Sequence, residues 1–255
     1  MIERVALVTG TSRRIGIGTA VIRRLAADGY RVVASGLRAY DEDQPFGADP
    51  DDFAGVLAEL PGGPHHYSPA DLSDPAAPAA LVKSVVDRLG RIDALVAVHT
   101  YSTSGPFGHL DATEIDRHLI VNVRATMLLV EAFAAAHTPD AGAGRVVLFS
   151  SGQRLGPMTG ELPYAVSKAA VENLTRQLGT LLMTRGITIN CLNPGPTDTG
   201  WADPDTHAAV AQMFPTGTWG TPDDAARLVG WLCSPEAAWI TGQVLDSEGG
   251  FNRYG

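Results

Sequence analysis

Residues 5–28 confine the fold more tightly than any other stretch of this chain. Val5-Ala-Leu-Val-Thr9 is a short apolar run of strand type, ended by Gly10. Residues 19–28 then show helical spacing, with Ala20, Val21, Leu25 and Ala26 apolar and Arg23, Arg24 and Asp28 polar. Between them lies Thr-Ser-Arg-Arg-Ile-Gly16-Ile-Gly18. Strand, glycine turn and helix in that order carry backbone N–H groups and the positive end of a helix to a pyrophosphate. Glycine lets the main chain approach such a ligand with no Cβ in the way. A Gly-x-Gly alone is a weak sign, but its place directly after the first strand favours phosphate binding over a plain turn.

The rest of the chain repeats the alternation. Strands are predicted at 31–35, 66–67, 92–98, 145–150, 187–192 and 240–246, and helices near 51–60, from Asp74-Pro75, at 111–137, 163–185 and 222–234. Asp111-Ala-Thr-Glu114 is a capping-box pattern, and Thr221-Pro-Asp-Asp caps the last helix. Residues 36–52 read as an acidic surface loop, long for a strand-to-helix connection, where 2–6 residues is usual. His65 and His66, beside a Pro-Gly-Gly-Pro turn, read as surface or strand residues. Strand–helix alternation over 255 residues predicts an α/β protein with a doubly wound parallel sheet of Rossmann type, built as one domain over 1–255. A cofactor half would span about 1–140 and a catalytic and substrate half about 141–255.

A net charge of −9 and a pI near 5.2 argue against nucleic acid or an anionic membrane surface as partner. Cys191 and Cys233 sit in apolar contexts without disulfide or metal-ligand spacing, so both are expected in the core and no metal site is expected. The N-terminus shows no signal-peptide pattern, and no apolar run approaches the roughly 20 residues of a membrane span. The expectation is a soluble cytoplasmic protein with no membrane partner.

Chemistry concentrates between Gly144 and Thr199. Tyr164 and Lys168, four apart on a predicted helix, share one face. An ammonium beside a phenol favours the phenolate and lowers a Tyr pKa that starts near ~10. Tyr164 could then exchange a proton with a substrate oxygen, with Ser151 hydrogen-bonding that oxygen. The plain alternative is an amphipathic helix that happens to contain both. Against it, the chain has two Lys, Lys83 and Lys168, beside seventeen Arg, and an amine can be tuned where a guanidinium cannot.

Taken together these residues resemble the short-chain dehydrogenase/reductase family over nearly the whole chain. The match covers the N-terminal glycine turn, Asp71-Leu72 after strand three, Asn122, Ser151 thirteen residues before Tyr164, Lys168, Pro194-Gly195, and the close from Ile240 to Gly250. The resemblance implies that Tyr164 is the proton donor and that Ser151 orients the carbonyl. It also implies that Lys168 holds the nicotinamide ribose and tunes Tyr164, and that Asn122 positions a water relaying protons to Lys168. Cofactor contacts are expected from Gly10, Ser12, Arg13, Arg14, Gly16, Ile17, Arg38, Asp71, Leu72, Ala97, Tyr164, Lys168, Pro194, Gly195, Thr197 and Thr199. Substrate contacts are expected from His99, Gln153 and Trp201.

Two departures stand out. The family's Thr-Gly-x-x-x-Gly-x-Gly turn is widened here by two residues before Gly16-Ile-Gly18. After strand four, Ala97-Val98-His99-Thr100 replaces Asn-Asn-Ala-Gly, and His99 reads equally as a partly buried packing residue or as a substrate contact. Cofactor choice follows from charge: Gly36 stands where an NAD-binding acid would sit, and Arg13, Arg14 and Arg38 are near, which favours NADP(H). Asp41, Glu42 and Asp43 are read as a solvated surface run. Residues 200–219, with Trp201, Met213, Phe214 and Trp219, would cover a hydrophobic or aromatic substrate or join the core. Helix 163–185 is apolar on more than one face, so it should be covered on both sides. By the resemblance the assembly is a homotetramer or homodimer. The expected function is NADPH-dependent reduction of a ketone or β-ketoacyl-type carbonyl. The alternative is a catalytically weak NADP(H)-binding regulator.

Overall fold

The computed structural model describes residues 3–49, 53–138 and 142–254. Strands β1 (Arg4–Thr9), β2 (Tyr30–Ser35), β3 (His66–Tyr67), β4 (Ala94–Ala97), β5 (Gly144–Phe149), β6 (Ile187–Asn193) and β7 (Val244–Asp246) form one sheet in the order β3-β2-β1-β4-β5-β6-β7. Every pairing is parallel. The inner strands β1 and β6 are buried along almost their whole length because both faces are covered. On one face α1 (Ile17–Ala27), α3 (Ala54–Ala58) and α9 (Pro222–Leu232) bury Val21, Leu25, Val56 and Val229. On the other α4 (Ala77–Leu89), α6 (Ala125–Ala136) and α7 (Leu162–Met183) bury Leu81, Leu129, Phe133 and Val171. The chain reverses its winding between β1 and β4, whose ends are in register at Thr9 and Ala97. That reversal opens the crevice in which ligands of such sheets bind.

Several expectations need correction. Residues 36–49 are not simply loop: α2 (Arg38–Glu42) forms one turn of helix there, and Asp41 is buried rather than solvated. The helix expected at 51–60 is α3, and residues 51 and 52 lie outside the described residues. The last strand begins at Val244, because Gly242 takes φ +71° and bends the chain before it. The segment between 200 and 219 contains an unpredicted helix, α8 (Pro204–Gln212), capped by Asp203. The helix expected at 111–137 is present as α5 (Ala112–His118), a π-helical turn Leu119–Arg124, and α6. These 25 residues are long and apolar enough, by length and composition, to cross a membrane (mean hydropathy 1.7), contrary to the expectation. Here the apolar residues pack on the sheet between α4 and α7.

Helix α7 is covered on one side only. Val166 and Leu181 are exposed, and with Leu119, Met127 and Leu128 from the neighbouring helical rod they are among the large apolar side chains left at the surface. Cys191 and Cys233 are both buried free thiols.

Candidate functional site

At the end of β1, Gly10 takes φ +74°, and a Cβ there would lie 2.5 Å from the backbone nitrogen of His99. Glycine is required twice over, by conformation and by the approach of the segment leaving β4. Gly18, in the first turn of α1, faces the Gly10 carbonyl, and its Cβ would come within 2.8 Å of Thr11 Cγ2. Gly16 is the N-cap and supplies no side-chain partner to the first-turn N–H groups of α1. The widened turn closes on itself, since Gly16 N–H and Thr19 Oγ1 both bond the Arg13 carbonyl, at 3.1 and 2.6 Å.

Residues 36–49 hold that turn from above. The Arg14 N–H donates to Asp49 Oδ2, and Arg38 reaches the Asp49 carbonyl at 2.7 Å while pairing with Glu42. Ser12 lies beside the Asp41 carboxylate and favours its charged form. Burial raises the Asp41 pKa, against the opposing pull of Ser12 and Arg13. Gly36 is where strand two meets this turn. A side chain there would begin 2.9 Å from the Thr11 carbonyl, so no acid fits at that position without a shift. Tyr40 shares its hydroxyl with the N–H and carbonyl of Ser102, across the crevice. Two buried polar atoms have no protein partner here, Arg13 Nε and Asp41 Oδ2. A glycine cradle, an uncapped helix start and an unpartnered donor and acceptor fit the ribose and phosphates of a nicotinamide dinucleotide.

The reaction end lies at β4 and β5. Ser151 lies close enough to the Tyr164 phenol to favour its charged form, and Lys168 Nζ lies 5.6 Å from the Tyr164 ring centroid, donating to the Phe149 carbonyl at 3.1 Å. Burial pushes the Tyr164 phenol up to about 12, with Ser151 opposing. Burial also lowers Lys168 to about 8. This corrects the expected direction for tyrosine: desolvation sets it, with Glu161 and Tyr40 adding to the rise, and the side chain stands as a neutral phenol. Asn122 does not satisfy its own helix with its amide. Its Oδ1 accepts from Tyr101 N–H at 2.7 Å, and its Nδ2 donates to the Tyr101 carbonyl and to Ser167 Oγ, each at 2.9 Å. The π-turn that carries it is a distortion frequent at functional sites.

His99 is buried, with Nδ1 2.6 Å from Thr9 Oγ1 and Nε2 3.3 Å from Thr126 Oγ1. Burial first, and the Lys168 charge second, lower its pKa to about 3. Of the two readings of this residue the structure shows the packing one; both ring nitrogens are spent inside. Gln153 is likewise turned inward, its amide donating to Glu172 Oε1 at 2.9 Å and Ser150 Oγ at 3.1 Å. Trp201 remains half exposed and meets Trp219 edge-on at 5.8 Å. Thr197 is buried and bonds the Gly195 carbonyl at 3.1 Å, Thr199 is half-buried, and Gly195 N–H is held by Asn193 at 3.1 Å. Asp71 is exposed and closes an Asx turn on Ser73 at 2.8 Å, while Leu72 joins the core. Ile17 packs on the opposite core layer, and Ala97 ends β4.

One member of the site was not singled out from the sequence. Glu172, a turn beyond Lys168, is buried and receives Ser150 Oγ at 2.7 Å. Its signal was an acid inside an apolar helical stripe, which a solvated position could equally have explained.

Comparison with known proteins agrees with this fold. A family model described as enoyl-(acyl carrier protein) reductase matches residues 10–252. An uncharacterized oxidoreductase of Bacillus subtilis is 38% identical over 252 residues, covering 98% of each chain. A short-chain dehydrogenase/reductase from Serratia marcescens superposes with a TM-score of 0.84 at 30% identity, covering 97% of this chain and 98% of that one. A blue fluorescent protein from a metagenomic library, in complex with NADPH, gives a TM-score of 0.83 at 31% identity, covering 97% of both.

Proposed function

The chain belongs to the short-chain dehydrogenase/reductase family of oxidoreductases acting on carbonyl and alcohol substrates, and we propose that it is a ketoreductase using NADP(H). Its reaction would be reduction of a ketone or β-ketoacyl-type carbonyl to the alcohol. The observation that carries this reading is the juxtaposition of Ser151, Tyr164 and Lys168, with the phenol held neutral and Lys168 Nζ 5.6 Å from its ring centroid. A bound nicotinamide supplies a hydride. Ser151 donates a hydrogen bond to the carbonyl oxygen, and Tyr164 gives its phenolic proton to that oxygen as charge develops there. Lys168, buried and near neutrality, is suited to return a proton toward Tyr164, and Asn122 fixes the segment after β4 on which the substrate would rest. The relative's NADPH complex and the cluster of Arg13, Arg14 and Arg38 support the phosphorylated cofactor. The family model is named for an enoyl reductase, but Tyr164 and Lys168 four residues apart match carbonyl-reducing members better.

A second cofactor reading, NAD(H), rests on Asp41. A buried carboxylate with a free Oδ2 suits a ribose hydroxyl better than a phosphate. The exposed apolar side chains of the α5–α7 face support a homotetramer or homodimer.

The test is cofactor oxidation, with NADPH and NADH in parallel, against a panel of ketones and β-ketoacyl thioesters. Tyr164→Phe serves as control and should lower turnover at least about 10²-fold with cofactor binding kept. Binding of NADPH without turnover of any carbonyl would instead favour the regulator.

A further inference from the structure

The loop that carries Ser151 is held by the far end of the chain. Ser151 leaves β5 in extended backbone and is followed at once by a 3-10 turn, Gly152–Arg154. A Cβ at Gly152 would overlap the guanidinium of Arg253, and one at Gly156 would lie 3.0 Å from Arg253 Cδ. Arg253 is therefore seated where the first two turns after the catalytic serine have no side chains. Its guanidinium pairs with Glu248, with side-chain exposures of 18% and 10%. Glu248 Oε1 also accepts from Asn193 Nδ2 at 2.8 Å, and Asn193 Oδ1 holds Gly195 N–H at 3.1 Å. Gly195 in turn needs φ +64°, and its Cβ would stand 2.9 Å from Glu248 Cα. A continuous chain of contacts thus runs Gly152–Arg253–Glu248–Asn193–Gly195. It joins the loop after β5 to the loop after β6, the two that flank the reaction centre. The tail is anchored independently, by Asn252 N–H on the Met213 carbonyl at 2.9 Å and by Phe251 against Phe214 at 5.0 Å. The family model's match ends at residue 252, so Arg253 lies beyond it.

We propose that Arg253, through its half-buried pair with Glu248, is a positioning residue that fixes the Gly152 backbone and thereby aims Ser151 at the substrate carbonyl. The physical argument is one of leverage. Gly152 has no side chain to limit its own rotation, and the contact that holds Ser151 Oγ is a long one, to Met158 Sδ at 3.9 Å. The guanidinium fills the space into which Gly152 would otherwise turn. A long cation largely withdrawn from solvent there needs an anion beside it, which half-buried Glu248 provides. The inference rests on Ser151 acting as the hydrogen-bond donor to the carbonyl.

The experiment compares Arg253→Met, Arg253→Lys, Glu248→Gln and the double variant Arg253→Met/Glu248→Gln. Turnover, KM and cofactor Kd are measured beside amide hydrogen exchange of the apoprotein. Misplacing a catalytic group by about 1 Å can cost ~10²-fold, so Arg253→Met should lower kcat by roughly ten- to a hundredfold. KM and cofactor Kd should stay within about twofold, because only an interaction made in the transition state is lost. Arg253→Lys should recover part of the loss. The double variant should be no worse than the poorer single one, as expected of groups acting as a unit. Amides of residues 151–156 should exchange faster while those of the sheet do not change. Unchanged kcat, or a loss accompanied by a lowered Tm and faster exchange across the sheet, would overturn the proposal. If the native protein reduces no carbonyl, the ketoreductase reading fails, and the exchange of residues 151–156 alone decides whether Arg253 holds that loop.

Discussion

The guanidinium of Arg13 lies 4.0 Å above the ring centroid of Phe46. This stacking, with the Arg14 N–H on Asp49, makes the two-residue widening of the glycine turn and the long connection after β2 a single unit. The inserted residues have a place because residues 36–49 fold down on them. If Arg13 meets the 2′-phosphate, Arg13→Ala should weaken NADPH roughly ten- to a hundredfold, the range of a charge-assisted hydrogen bond, and leave NADH nearly unchanged. Asp49→Ala should loosen the turn itself and weaken both cofactors alike. Fluorescence titration of each variant with each cofactor separates the two, and equal losses in Arg13→Ala would remove the phosphate argument.

Asp41 gives the opposing prediction. Its carboxylate is buried on Ser12, within reach of the Arg13 charge, and repels a phosphate placed there. Asp41→Asn keeps the shape and removes the charge, so the ratio of NADPH to NADH affinity should rise by about tenfold or more. An unchanged ratio would mean that the carboxylate faces neither cofactor.

How much of this was legible in the sequence depends on what each residue answers to. Gly10, Ser151, Tyr164 and Lys168 were legible because their spacing is tied to a strand end or a helix face, and the fold reproduces both. The doubly wound parallel sheet followed from the alternation of strand and helix. Asp41 was not legible: an acid in a polar run is solvated unless something covers it, and what covers it comes from the glycine turn. The inward hydrogen bonds of Gln153 and His99 were not legible for a related reason. Each stands beside the reaction centre in sequence, yet each has an inward partner, Glu172 and Thr9, that no local pattern reveals. Arg253 belongs with them, since its seat at Gly152 is made by tertiary packing.

His99 should make the protein acid-sensitive without giving the reaction a pH dependence near neutrality. Its folded pKa is about 3 against 6.5 in the unfolded chain. As pH falls through 6.5 the unfolded state takes up a proton that the native state refuses. Stability is therefore lost between about pH 6.5 and 3, by up to ~1.4 kcal/mol per pH unit. His99→Gln removes this contribution while keeping a polar group for Thr9. The Tm deficit of the variant at pH 7 should shrink as pH is lowered toward 4.5, the other carboxyl contributions cancelling in the difference. A deficit constant with pH would contradict the buried neutral imidazole.

Lys168 titrates in the opposite range but with the same sign. Burial lowers its pKa to about 8 from 10.5, so below pH 8 the native state carries a desolvated ammonium in full. As pH rises past 8 the native state releases its proton before the unfolded chain does, and stability increases by up to ~1.4 kcal/mol per unit. Two thiols set the upper limit of that rise. Cys191 and Cys233 are pushed up to about 12 from 9.0, so above pH 9 the unfolded chain ionises first and stability falls. The apoprotein should accordingly gain stability between about pH 8 and 9 and lose it above. Lys168→Met replaces the ammonium with an apolar chain of similar length and should be the more stable protein at pH 7, though inactive. Its advantage in Tm should fade as pH rises from 8 to 10.5, while the decline above pH 9 persists in both proteins. An advantage independent of pH would show that Lys168 keeps an ordinary pKa when folded, and its suitability as a proton carrier to Tyr164 would go with it.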